Sequence, residues 1–540
     1  MTGFPVTTFS DVQTAVNRLL SRWHYPVALA LGALNTLSFA PTPHGGWLGI
    51  AIIALLYFWL TRMNGWKAAL FTGWAFGFGN FVTGVWWLYV SMHFYGDLPA
   101  PLALTALALL ALCLGFFPAC AAALWSYCTG SADSRRGAFS AWHGALIFAS
   151  VWSLCEWLRG TLFTGFPWLA SGYAQVDGPL AGFAPLVGVY GIGWVLALAA
   201  ALIVQAVYAL VGRHPLRAAS LACFTVAFIA AGLLLPRISW TTPAGAPVSV
   251  RLLQDNVKQD MKFDPATILA ELHELGRLIT EKPAALVVTP ETAVPILLQQ
   301  APQSFTAALQ KFADTTGTSI LFGAVGGTIT PDGQITDYTN SLFGITPNGR
   351  NVYRYDKHHL VPFGEFVPWG FHWFVQLMNI PLGDFARGNA VQPPFSVRGQ
   401  RIAVNICYED LFGEEIAHNL SGNDEPPTIL INASNLGWFG HTIALEQHLQ
   451  IARMRTLETG RPMLAATNTG ITAAIDAHGN VSAQLRPFTT GSLDVSVQGM
   501  TGLTPYVRSG NTPVLALALL LLASGLASRF FTRPKKAPIR

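Results

Sequence analysis

Val404-Asn405-Ile406-Cys407-Tyr408-Glu409-Asp410 stands between two local patterns. The β-type run Arg401-Ile402-Ala403-Val404 leads into it, and the turn-forming Leu411-Phe412-Gly413-Glu414-Glu415 follows. That order places a thiol at the end of a strand, where a backbone elbow can present it to a substrate. Cys407 is also the one cysteine in the long polar part of the chain, so that part has no internal disulfide. The other five, Cys113, Cys120, Cys128, Cys155 and Cys223, fall in apolar segments and read as small packing residues. A lone cysteine followed by acidic residues is a candidate nucleophile, but many such cysteines are inert core residues. Its surroundings decide.

Outward from this stretch, residues 240–505 alternate short β-branched runs with polar, helix-like segments. Pro247–Leu253 reads as a strand, about 265–281 as a helix, and Ala285–Val288 and Ser319–Gly323 as further strands. Tyr338 to Tyr355 is hairpin-like, with Asn348-Gly349 at its turn. Thr428–Ile431 is another strand. A helix at about 442–459 precedes a strand pair around Met463–Ile475 and Val481–Leu485. Apolar strands alternating with helices predict an α/β domain.

The rest of the chain has a different solvent. Only 11% of residues are charged and 52% are hydrophobic, with a mean hydropathy of +0.41. A soluble chain carries roughly a quarter charged residues, so these values indicate a membrane protein. The net charge of +4 is too small and too scattered for a nucleic-acid surface. Apolar runs at about 25–42, 46–61, 68–93, 100–128, 140–160, 188–212, 217–236 and 512–528 approach or exceed the roughly 20 residues that cross a bilayer. The first two are short and separated by Pro41 and Pro43, which allows a broken pair in place of two full spans.

Loop charges orient the bundle. Arg18 and Arg22 precede the first run, and Arg62 and Lys67, Arg135 and Arg136, Arg213 and Arg217, and the basic tail from Arg529 follow even crossings. Lys and Arg favour the cytoplasmic side. The expected layout is a cytoplasmic segment 1–24, a bundle of about seven spans over 25–236, an extramembrane domain 237–511 on the outer face, a last span 512–528 and a cytoplasmic tail 529–540. The first apolar run lacks a small-residue cleavage pattern and reads as retained. An aromatic, glycine-rich loop, 161–187, is expected on the same side as the α/β domain.

Three polar residues of that domain stand at strand ends: Glu291, Lys357 and Cys407. An acid, a lysine and a thiol suffice for acyl transfer through a thioester. A carboxylate takes the thiol proton, and Lys357 with the Tyr408 N–H can face the oxyanion. Spacing alone leaves Glu291 open as a strand-end salt-bridge partner and Lys357 as a surface lysine. His358 and His359 form no metal pair, because adjacent side chains on an extended strand point to opposite faces. His441 and His448, near a helix start, read as surface or pocket-rim residues. Glu156 and Arg159, at i and i+3, can neutralise each other at the membrane edge, contact lipid headgroups, or dock the outer domain.

The strings VVTPETAVP, YDKHHLVPFGEFVP and VNICYED resemble the Glu, Lys and Cys motifs of the nitrilase superfamily. With LVPFGEFVP after the lysine, NASNLGWFG later and EWLRGTLFTGFPWLASGY at 156–173, the chain is similar over nearly its whole length to the superfamily's membrane-bound branch, the bacterial apolipoprotein N-acyltransferases. The resemblance implies a bundle of about eight transmembrane helices plus an extramembrane nitrilase-like αββα sandwich. It also implies a ping-pong reaction. Cys407 takes an acyl chain from a phospholipid, typically phosphatidylethanolamine, and the α-amine of a lipoprotein's diacylglyceryl-cysteine then resolves the thioester. Glu291 is the implied base and Lys357 the oxyanion partner, with Glu365, Tyr408 and Glu409 in support. Phe263, Asn340 and Trp438 are implied substrate contacts. Phe263 stands where the family often has tryptophan, and Asn435-Leu436-Gly437-Trp438-Phe439-Gly440-His441 departs from the usual Asn-Asp-Ala/Thr-Trp-Phe-Gly-Asp. Residues 366–386, rich in Trp and Phe, suit a lid dipping into lipid.

The resemblance implies no cofactor, no metal and no nucleic acid. The implied partners are the phospholipid donor, the diacylated apolipoprotein and the bilayer, with a monomer sufficient and the bacterial inner membrane as the location. Two other readings stand beside this one. A membrane-anchored amidase or nitrilase shares the covalent chemistry and resolves it with water. A non-catalytic lipid-binding or transport protein needs no trio at all.

Overall fold

The computed structural model describes residues 23–130, 138–259, 262, 265–330, 332–349, 352–368, 370 and 385–531. Phe263, most of the lid stretch (369 and 371–384) and the basic residues 18, 22, 135, 136 and 533–540 lie outside them.

The apolar runs are helices. A helix over 23–35 ends in a short turn at Thr36–Ser38, and Gly45–Thr61 follows after the proline-bearing interruption. Trp66–Gly84 continues through Trp87–Val90 into a π-helical turn, Ser91–Tyr95. Ala100–Thr129, Ala138–Thr161, Ala184–Val211 and Pro215–Leu234 complete the N-terminal bundle, and Thr512–Phe531 returns to pack against it. By length and hydropathy, four helices among the described residues can cross a membrane: Ala100–Thr129, Ala181–Val211, Pro215–Arg237 and Thr512–Arg529. Tyr57, Trp125 and Phe148 pack edge to face or tilted in the bundle core, with ring centroids 5.1 and 4.8 Å from Tyr57.

Residues between the last two bundle helices form two sheets packed face to face. In the seven-stranded sheet Gly491–Val497, Val248–Gln254, Leu286–Val288, Ser319–Ile329, Ile335–Ile345 and Tyr353–Asp356 run side by side, with Val294–Leu297 pairing Ser319–Ile329. The six-stranded sheet runs Val481–Gln484, Ala473–Ile475, Met463–Thr467, Ile429–Ser434, Gln400–Ile406, Phe395–Val397. Val250, Leu252, Leu286 and Val288 of one sheet meet Val404, Ile406, Ile429 and Ile431 of the other in a shared core.

Helices cover both outer faces. Ile268–Thr280 turns Leu272, Leu275, Leu278 and Ile279 onto the first sheet, the i, i+3, i+4 stripe of a half-buried helix. Gly413–Gly422 and Ala444–Thr459 cover the second. The αββα sandwich expected from the resemblance is therefore present. Strands such as Ile429–Ser434, buried at every position, show no alternation because both faces are covered.

Local readings differ at three points. The run 463–475 is two antiparallel strands, Met463–Thr467 and Ala473–Ile475, because Asn468–Gly470 turns the chain. Gly491–Val497, unread in the sequence, edges the first sheet through its pairing with Val248–Gln254. Its glycine, serine and aspartate masked the apolar residues Leu493, Val495 and Val497. His448 lies 3% exposed inside the molecule rather than at a rim, because its helix is buried on both sides.

Candidate active site

Each of the three strand-end residues arrives from a different element. Gln400–Ile406 delivers Cys407, whose φ of +51° puts it in the left-handed region. Such a conformation costs a non-glycine residue about 1–3 kcal/mol and survives only where contacts fix it. Glu409 supplies some of them: it accepts from the backbone N–H of Ile406 (2.6 Å), His358 (2.7 Å) and His359 (3.1 Å), and from the Tyr355 hydroxyl (3.0 Å). One carboxylate so ties the Cys407 elbow to the Lys357 strand end. Asn432 adds a bond to the Cys407 carbonyl at 3.1 Å.

Glu291 follows Leu286–Val288, in a turn pressed against Gly323. A side chain at Gly323 would meet the Pro290 carbonyl at 2.4 Å, so only glycine lets the turn pass. Lys357 caps Tyr353–Asp356 and is 1% exposed. Its Nζ lies 3.3 Å from Glu291 Oε1 and 2.9 Å from Glu365 Oε1. Asn340 donates to both carboxylates, at 2.7 Å each. The Asn435 N–H holds Glu291 Oε2 at 2.7 Å, and the Val361 N–H holds Glu365 Oε2 at 2.8 Å. Buried charges persist where they are paired and hydrogen-bonded, and this set meets that condition.

The electrostatics follow from the packing. Burial pushes the Cys407 thiol well up and Glu291 adds to the rise, against which Lys357 works. Burial would raise Glu291 too, but Lys357, the Asn340 amide, Lys262 and the Asn435 N–H outweigh it and leave the carboxyl below its ordinary value. Burial disfavours the Lys357 ammonium, yet Glu365 and Glu291 more than compensate and hold it above the usual lysine range. Burial thus favours the protonated form of the Cys407 thiol, with Glu291 and Lys357 near enough to act on it electrostatically.

The structure brings Glu291, Lys357, Glu365, Asn340 and the Cys407 elbow together. Tyr408 points its hydroxyl at the Gly165 carbonyl, 3.0 Å away. Trp438 stands apart from the charges: its carbonyl accepts from Ser91 at 2.7 Å, and its ring lies 6.2 Å from Tyr95. Lys262 went unsingled in the sequence. It is 1% exposed, and its Nζ donates to the Glu291 carbonyl at 3.0 Å. Gln447 was equally silent. Its Oε1 accepts from the indoles of Trp87 (3.3 Å) and Trp168 (2.7 Å). A glutamine inside the run Leu445–Met454 was the available signal.

Two family descriptions match this chain. Residues 31–202 match the apolipoprotein N-acyltransferase N-terminal domain, and residues 249–506 match carbon-nitrogen hydrolase. An apolipoprotein N-acyltransferase from Ralstonia nicotianae is 52% identical over 97% of this chain and 98% of its own. Those of Bordetella bronchiseptica (47% identical, 95% and 98% covered) and Nitrosomonas europaea (43%, 94% and 98%) are similar along the same length. The chain belongs to the apolipoprotein N-acyltransferase family. As a member it is an enzyme, an acyltransferase of the carbon-nitrogen hydrolase superfamily. That assignment separates it from the amidase-type hydrolases and from a non-catalytic membrane scaffold. The apolipoprotein N-acyltransferase activity calls for lipoprotein and phospholipid substrates in a membrane, which suits the apolar helices beneath the site.

Proposed function

We propose that Cys407 carries the transferred acyl group. In the first half-reaction Glu291 takes the thiol proton as sulfur attacks an ester carbonyl of a phospholipid, phosphatidylethanolamine the expected donor. Lys357 and the Tyr408 N–H face the developing oxyanion. The ester C–O bond breaks, the leaving alkoxide regains the proton from Glu291, and a lysophospholipid departs. In the second, the α-amine of the diacylglyceryl-cysteine attacks the thioester, gives its proton to Glu291, and Cys407 leaves as the thiol. Glu365 and Asn340 hold the Glu291–Lys357 pair, and Glu409 fixes the elbow. Phe263 and Trp438 serve the acyl chain.

The observation that carries this reading is the buried cluster in which the Lys357 ammonium bridges two carboxylates, with the strained Cys407 elbow tied to the same strand end by Glu409. A base that is already ionised and a thiol that is not call for proton transfer during attack, the regime in which general-base catalysis contributes about 10²–10⁴-fold. The charge pattern of the loops supports eight spans, with both termini cytoplasmic and residues 237–511 on the periplasmic side of the bacterial inner membrane. One chain supplies every group the two half-reactions use, so a monomer suffices.

Intact mass after incubation with phosphatidylethanolamine tests the proposal. Wild type should gain one fatty acyl group, Cys407→Ala none, and a diacylated lipopeptide should clear the adduct. Release by water at the same rate without lipopeptide, or no adduct on folded protein, would overturn it.

A further inference from the structure

Arg159 and Glu156 sit one turn apart near the end of Ala138–Thr161, buried at 3% and 8% exposure. Their hydrogen bonds go to the segment that follows the helix. Glu156 accepts from the backbone N–H and the hydroxyl of Ser171, both at 2.8 Å. The Arg159 guanidinium donates to the carbonyls of Phe166 and Trp168, the latter at 2.7 Å, and lies 5.0 Å over the Phe81 ring. The Phe166 N–H returns a bond to the Arg159 carbonyl at 2.8 Å.

The segment so gripped is strained. Phe163 and Thr164 have φ of +54° and +74°, and Phe163 is 97% exposed, so neighbours on its own side chain do not hold it. What the segment offers in return are four carbonyls in near succession. Arg159 takes Phe166 and Trp168 from below. From above, His359 Nε2 lies 2.9 Å from the Thr164 carbonyl, and the Tyr408 hydroxyl donates to Gly165 at 3.0 Å. His359 and Tyr408 are the neighbours, by two residues and by one, of Lys357 and Cys407.

We propose that Arg159 is a positioning residue for acyl transfer: by clamping residues 164–168 it sets the carbonyl that anchors Tyr408, and through Tyr408 the backbone of the Cys407 elbow. An intramembrane charge is thereby used to align chemistry performed outside the membrane, and the elbow is complete only with the bundle beneath it. The inference rests on Cys407 being the acyl carrier.

A double-mutant cycle between Arg159 and Tyr408 tests it, read as the single-turnover rate of Cys407 acylation in full-length protein with phosphatidylethanolamine vesicles. Small displacements of a reacting group cost up to about 10²-fold, so Arg159→Met and Tyr408→Phe should each slow acylation roughly tenfold or more. The double variant should fall no more than about threefold below the slower single, because both remove the same anchor. The phospholipid concentration for half-maximal rate should stay within about twofold of wild type. Arg159→Lys, which keeps the charge but lacks the planar fork that spans two carbonyls, supplies the same cycle if the methionine variant does not fold. Multiplicative losses in the cycle, or a defect confined to the half-saturating phospholipid concentration, overturn the proposal. A wild-type protein that forms no thioester would instead remove the Cys407 reading on which it stands.

Discussion

Glu291 owes its ionised form, despite burial, to the groups around it. Lys357, Asn340, Lys262 and the Asn435 N–H together leave its folded-state value below that of an unfolded glutamate. Its carboxylate therefore stabilises the fold above roughly pH 4.3 and loses that contribution as pH falls through the lower folded value. Lys357 has the opposite sign: raised by Glu365 and Glu291, its contribution is complete below about pH 10.4 and fades only in stronger alkali. His448, pushed down to about 4 by burial, stays neutral through the working range. The acylation rate against pH should accordingly run flat from about pH 8 to pH 4.5 and fall only below the ordinary glutamate range. A limb centred near pH 6 would mean that another group is the base. Glu291→Gln should lower the same rate by about 10²–10⁴-fold, with Cys407 still present and the lipid still bound. These two residues were legible as motifs. Lys262 and the Asn435 N–H were not, because their role depends on a distance across the fold that no local spacing encodes.

Ala444–Thr459 shows the same division for a whole element. Its existence and ends were readable, with Gly460 at a φ of +64° closing it as a left-handed C-terminal glycine does. Its burial was not. The helix lies between the second sheet and the bundle, so both faces are covered and the apolar stripe that marks a surface helix is missing. Its polar residues are spent on the bundle. Gln450 accepts from the Ala40 N–H at 3.1 Å, Arg453 grips Asp177 through two bonds of 2.9 and 2.7 Å, and Glu458 takes the Val189 N–H at 2.8 Å. Gln447 is the residue that tests this. Gln447→Leu removes the acceptor of two buried indoles, each unsatisfied donor costing about 1–3 kcal/mol. The variant should inactivate at a lower temperature in detergent than wild type, whereas Gln447→Glu, which keeps the acceptor, should lie nearer to it. Equal inactivation temperatures for wild type and Gln447→Leu would show that the indoles find other partners. The α/β class was legible because the strands and helices alternate, and its αββα layering only through the family resemblance; the edge strand Gly491–Val497 was not, because half of its residues are polar.

The bundle poses the question of topology for the molecule as a whole. Hydropathy and length single out four helices among those described, fewer than the eight apolar runs of the sequence. Length accounts for two of the missing runs, the helix over 23–35 and Gly45–Thr61, and packing for Trp66–Gly84 and Ala138–Thr161. Trp66–Gly84 approaches its neighbours through glycine: a side chain at Gly77 would meet Gly115 at 2.6 Å, and one at Gly73 the Pro118 carbonyl at 2.6 Å. The helix over 23–35 uses Gly32 in the same way, 1.9 Å from the Phe76 carbonyl for an added side-chain carbon. Helices in lipid associate through such small residues because they gain nothing from hiding apolar surface from water, and every glycine so used lowers the hydropathy that would identify the span. Glu156 and Arg159, held by the 164–171 segment, lower it again in Ala138–Thr161. The proposed count of eight therefore needs an experiment that ignores hydropathy. A green fluorescent protein fused after Arg540 folds only on the cytoplasmic side. With eight crossings and a cytoplasmic N-terminus it should fluoresce, and a fusion truncated after Thr241, beyond seven crossings, should stay dark. If the glycine-rich helix did not cross, the count before Thr241 would be even, the short fusion would light up, and the domain bearing Cys407 would face the cytoplasm.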